Sequence, residues 1–231
     1  MVSSPQANGP ALLHLTSAGR KEFNDCVESL RAKGDQFDYQ EYRDKVYEKL
    51  HKGTCEWIKE TSQYKEWMGS ENGYRLLWIH GAPGSGKSVM SAFMSRILQS
   101  ETPVAYFFFD DKDENLRTIS AALKILLTQI LMVYPKSHTH FLEEKDYERN
   151  KEKTVWKDGM LWRVFRRIAA DRSLGAICLI LDAIGRFAIS RTSLPKRDPL
   201  ASTASESPCS LAQRYSHSLR SLRGAARSEV L

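Results

Sequence analysis

Apolar residues recur along this chain in two periods, and the change from one to the other divides the sequence. From Ser17 onward, Phe23, Val27 and Leu30 stand at i, i+4 and i+7, which predicts a helix ending near Gly34. Residues 38–51 form a second helical stretch, rich in charge and tyrosine. Thr54 is placed to cap a third helix, with Trp57, Tyr64 and Met68 on one face and Trp67 beside it. Asn72-Gly73 then marks a turn.

Beyond that turn the pattern becomes strand-like runs alternating with helical stripes. Leu76-Leu77-Trp78-Ile79 reads as a buried strand running directly into a glycine-rich turn. Lys87 to Leu98 repeats apolar pairs at Val89/Met90, Phe93/Met94 and Ile97/Leu98, the signature of a core-facing helix. Val104 to Phe109 is a second buried strand, closed by Asp110-Asp111. Ile119, Leu123, Leu126, Leu127 and Ile130 form another stripe, halted by Pro135. Residues 143–153 are almost all charged and read as a solvated insertion. Leu161, Val164, Phe165 and Ile168 give a further stripe, and Ile177 to Leu181 a third strand ending in Asp182.

Strand, helix, strand, helix, helix, strand is an α/β order. Continuous apolar strands are buried on both faces, so a parallel sheet between helical layers follows. The chain divides into a loose leader (1–16), a helical N-terminal region (17–70), an α/β nucleotide-binding unit (71–184) and a Ser/Arg-rich tail (185–231) read as disordered.

Composition changes this picture only at the tail. The net charge of +6 suggests nucleic acid until it is localised. Residues 185–231 carry seven Arg and one Lys against three acidic residues, a net of +5, which leaves the body near neutral. Nucleic acid is therefore not an expected partner of the body. The longest strongly apolar runs, 104–109 and 176–181, are strand-sized, whereas a membrane span needs about 20 residues. Cys26, Cys55, Cys178 and Cys209 are scattered, which argues for reduced thiols and a cytoplasmic protein.

The segment Gly81-Ala82-Pro83-Gly84-Ser85-Gly86-Lys87-Ser88 carries the chemistry, matching G-x-x-x-x-G-K-[ST] in full. Glycines let the backbone turn with its amides inward, toward phosphate oxygens. The helix starting at Lys87 adds the positive end of its dipole. In this motif Lys87 meets the β- and γ-phosphates, and the Ser88 hydroxyl ligates Mg²⁺. Asp182, at the end of an apolar strand, is the acid that reaches the same ion, usually through water. The fold class expected is thus an incomplete three-layer P-loop NTPase sheet preceded by helices, binding ATP or GTP with Mg²⁺.

The run His51-Lys52-Gly53-Thr54-Cys55-Glu56-Trp57-Ile58, then Tyr64 and Trp67, then Leu76 to His80 into the P-loop, resembles fungal NACHT-type proteins with a nephrocystin-3-like N-terminal region. Phe107 to Asp113 and Leu179 to Ala183 are similar to that family's second strand and Walker B strand. The resemblance covers about 48–184 and implies a nucleotide-dependent signal-transducing switch, with protein partners recruited through the N-terminal helices. It also places Thr54 and Trp57 where they could border the purine, although plain helix packing is the expected role of Trp57.

The chain departs from the family pattern after Asp182, where Ala, an apolar residue, Asp and Glu are expected. It reads Ala183, Ile184, Gly185, Arg186, so the acidic pair that would polarise the attacking water is missing. That argues against hydrolysis by the usual route and suggests that the genuine sequence is truncated near Ile184. Two other functions compete. One is a P-loop small-molecule kinase using Arg166, Arg167 and Arg172; the other is a helical interaction module with a vestigial site.

Overall fold

The computed structural model describes residues 15–31, 38–69, 76–144 and 155–184. The leader up to residue 14, the Asn72-Gly73 turn, most of the charged insertion and the tail with Arg186 lie outside the described residues.

Among the described residues, four helical elements precede the glycine-rich loop. Helix α1 (Ser17–Leu30) starts where the Thr16 hydroxyl accepts from the Gly19 amide. Helix α2 (Tyr39–Tyr47) starts at Asp38, whose Oδ1 accepts from the amides of Gln40 and Glu41 at 2.8 and 3.0 Å. The single helix expected from Thr54 is two pieces, a 3₁₀ turn over Glu56–Glu60 and helix α3 over Ser62–Met68. Thr61 breaks them apart, since its own hydroxyl accepts from the Tyr64 amide and restarts the helix. Thr54 caps nothing; its hydroxyl donates back to the His51 carbonyl.

The nucleus is a parallel pair of strands. Strand β1 (Val104–Phe108) pairs with β2 (Cys178–Asp182) in the register Val104 to Cys178 through Phe108 to Asp182. Between them run α5 (Ile119–Val133), α6 (Thr139–Leu142) and α7 (Asp158–Ala170), after α4 (Lys87–Leu98) has led into β1. Side chains on β1 alternate between two cores, as the pleat requires. Ala105 and Phe107 face a cluster built with α1, α5 and α7, whereas Val104, Tyr106 and Phe108 face one built with α2, α3 and α4. The chain is thus a mixed, mainly helical α/β arrangement of three layers, with a small sheet in the middle. The N-terminal helices belong to those layers, α1 on one side and α2 and α3 on the other.

Leu76–Ile79 is not the buried strand expected. No ladder forms there, and Leu76 and Trp78 are 64% and 52% exposed. Leu77 and Ile79 still pack on the α4 side, so the run alternates in and out without a backbone partner. Four consecutive apolar residues signalled two-sided burial, but one side has no neighbour among the described residues.

The two edges of the sheet differ. On the β1 side, the Gln129 amide from α5 accepts from Tyr106 N–H at 3.0 Å and donates to Tyr106 C=O at 2.9 Å. On the β2 side, Leu179 is 37% exposed, and only Asp182 of the strand is fully buried.

Candidate functional site

The loop 81–86 is exposed and runs straight into α4. Gly84 and Gly86 adopt φ of 78° and 82°, the left-handed region that side chains with a Cβ disfavour. Gly86 is also the N-cap residue of α4 and offers no side chain to its first amides. A Cβ on Gly81 would meet Ser85 Oγ at 3.0 Å, so this glycine lets the loop close on itself. Lys87 curls back over the loop, its Nζ donating to Gly81 O at 2.9 Å and Ala82 O at 2.7 Å.

Three serines on α4 meet different fates. Ser95 is fully buried and donates to the Ala92 carbonyl within the helix. Ser88 makes no side-chain hydrogen bond among the described residues. Ser91, one turn further along the same face, donates to Asp182 Oδ1 at 3.2 Å. Asp182 is 7% exposed, and its main-chain carbonyl accepts from Phe109 N–H at 3.1 Å. The two metal candidates, Ser88 and Asp182, share no hydrogen bond among the described residues; Asp182 is tied instead to the next turn of the same helix.

Sequence reasoning missed Ser91 and also the polar group at the end of β1. There Tyr42 of α2 donates to Asp110 Oδ2 at 3.4 Å. Burial raises the Tyr42 hydroxyl pKa, and the nearby Asp110 carboxylate raises it further. The only signal available for Ser91 was its spacing of three from Ser88, which puts both on one helix face.

The remaining candidates are placed as follows. Trp57 is 59% exposed, which contradicts the plain packing role. The His51 carbonyl is spent on Thr54, and His80 is exposed. Arg167 is held by Glu143 and Glu144, on the face opposite α4. Arg166 and Arg172 are exposed, so the three arginines do not converge into a phosphate clamp. Burial pushes the Cys178 thiol up to about 11, which leaves it a packed thiol rather than a nucleophile. No cluster of three or more His, Cys, Asp or Glu suited to a metal occurs among the described residues. None of their helices is long and apolar enough to cross a membrane.

An unpaired hydroxyl on the first turn of α4, an ammonium folded over the loop, and a buried carboxylate one turn away suit phosphates with a hard divalent cation. The left-handed glycines leave open space where a Cβ would stand, with nothing within 4 Å at Gly84 or Gly86.

The family model described as Nephrocystin 3, N-terminal matches residues 53–211, more than half of the chain. That span includes the glycine loop, Ser91 and Asp182. It also runs past Ile184, so a truncation at that point is not what it shows. Over 134 residues the chain is 28% identical to vegetative incompatibility protein HET-E-1 of Podospora anserina. The match covers 55% of this chain and 10% of that protein, so the chain spans about a tenth of its relative's length. No solved structure matches.

Proposed function

The chain belongs to the nephrocystin 3 N-terminal family, and from that premise we propose that its Gly81–Ser88 loop binds a nucleoside triphosphate. The observation that carries this reading is the loop itself. Two left-handed glycines, an uncapped helix start and a lysine curled over the turn combine into one cationic loop suited to phosphate. The ligand is ATP or GTP with Mg²⁺, and the wider role is that of a NACHT-type signalling switch in the cytoplasm.

Lys87 would give up its loop carbonyls for phosphate oxygens of the bound nucleotide. Ser88 and Asp182 would hold the cation. When bound, Mg²⁺ neutralises phosphate charge. Binding without rapid turnover is the favoured outcome, because Gly185 and Arg186 stand where the family pattern has an acidic pair, leaving no carboxylate there to activate water. Ala183 stands at φ 53°, so the backbone turns away directly after the acid.

A melting experiment tests the reading. At a hundred times its dissociation constant, a ligand stabilises the fold by about 2.7 kcal/mol. Mg-ATP or Mg-GTP is expected to raise the melting temperature of the wild-type chain, and Lys87→Ala to abolish the rise. A wild-type melt that ignores both nucleotides at millimolar concentration overturns it.

A further inference from the structure

The geometry points to Ser91 as a positioning residue that fixes the Asp182 carboxylate toward the start of α4, an assignment that rests on the nucleotide reading above. Serines within helices ordinarily satisfy themselves by donating to a carbonyl three or four residues back. Ser29 and Ser95 do this here, at 2.8 Å each. Ser91 instead bridges to a residue 91 positions away, the terminal carboxylate of β2.

That choice answers a physical need. Asp182 is buried at the end of an apolar strand, and a buried carboxylate is costly unless hydrogen-bonded. Among the described residues, Ser91 is the side chain that donates to it. The bond also fixes a direction. Ser88 and Ser91 share one face of α4, so tying Asp182 to Ser91 sets it one helical turn from the Ser88 hydroxyl. Water-mediated contact to a cation tolerates little rotation of the carboxylate, since Mg²⁺ demands near-octahedral geometry. Ser91 thus acts through Asp182 and does not touch the ligand.

The test separates this role from the nucleotide site as a whole. Melting is followed for the wild type, Ser91→Ala, Ser91→Thr and Lys87→Ala with ATP or GTP, in excess Mg²⁺ and in EDTA. For the wild type, a nucleotide shift that grows with Mg²⁺ is expected. Ser91→Ala should keep the EDTA shift and lose most of the Mg²⁺-dependent increment, with about a tenfold weaker Mg²⁺ midpoint, the lower end for groups that orient a metal's ligands. Ser91→Thr keeps the hydroxyl and should restore the increment, which a loss of packing would not explain. If Ser91→Ala does not fold, Ser91→Cys, a weak donor of similar size, should give an intermediate midpoint. A wild-type midpoint in Ser91→Ala or Ser91→Cys overturns the positioning role alone. A wild type with no nucleotide shift overturns the site and this role with it.

Discussion

The side-chain amide of Gln129 makes both hydrogen bonds to Tyr106 that a neighbouring strand would make, accepting at 3.0 Å and donating at 2.9 Å. A residue on a helix thereby closes one edge of the sheet, the side on which unpaired backbone would invite other chains. Gln129→Leu keeps the packing of α5 but orphans two backbone groups. It is expected to lower stability by about 2 kcal/mol, within the range for unsatisfied buried polar groups. Urea denaturation checks this, and a loss below about 0.5 kcal/mol would mean water substitutes freely for the amide.

Much of this arrangement was legible in the sequence because it rests on local rules. The paired apolar positions from Val89 to Leu98 gave α4, and the buried Met90, Phe93, Met94 and Leu98 are those positions. Pro135 sits two residues beyond the end of α5 at Val133. Strand β2 and its terminal Asp182 lie one residue from where the apolar run put them. What failed depended on partners that periodicity does not reveal. Leu76 to Ile79 has strand composition, but a strand exists only when another backbone pairs with it. The helix expected from Thr54 broke because Thr61 and the left-handed Cys55, at φ 68°, impose a 3₁₀ turn. Ser91 to Asp182 is a contact across 91 residues, invisible to any local reading beyond the shared helix face.

Glu144 is expected to contribute to the acid sensitivity of the fold. It is buried and accepts charged hydrogen bonds from Arg163 and Arg167. The Arg163 bond holds its carboxyl below the ordinary value of 4.5, opposed by burial and aided by Arg167. A depressed folded pKa contributes stability that is complete above the unfolded value and disappears as pH falls through the folded one. Stability should therefore be level above about pH 5 and decline below it. Glu144→Gln is expected to cost about 1–3 kcal/mol at neutral pH and to flatten the acid limb. Chemical denaturation at a series of pH values checks both, and an unchanged acid limb would assign it to other carboxylates.

Gly86→Ala isolates the backbone contribution of the loop. Nothing lies within 4 Å of a Cβ there, so the substitution meets no clash, only a φ of 82°. The left-handed conformation is expected to cost about 1–2 kcal/mol. If the loop relaxes to escape it, nucleotide affinity falls with little change in the melting of the free chain. Comparing free and nucleotide-bound melts distinguishes the two outcomes.

Trp57 offers the opposite expectation. At 59% exposure it contributes little to folding, so Trp57→Ala should change stability by no more than about 0.5 kcal/mol. A loss of several kcal/mol in thermal denaturation would restore the packing role that its position suggested.

The central claim is that the loop from Gly81 to Ser88 grips a nucleoside triphosphate, and calorimetric titration tests it most directly. Mg-ATP and Mg-GTP are titrated into the wild-type chain and into Lys87→Ala. The account predicts saturable, one-to-one heat of binding for at least one nucleotide in the wild type and none in the variant. Equal heats in the two proteins, or no saturable heat from either nucleotide up to millimolar concentration, would contradict it.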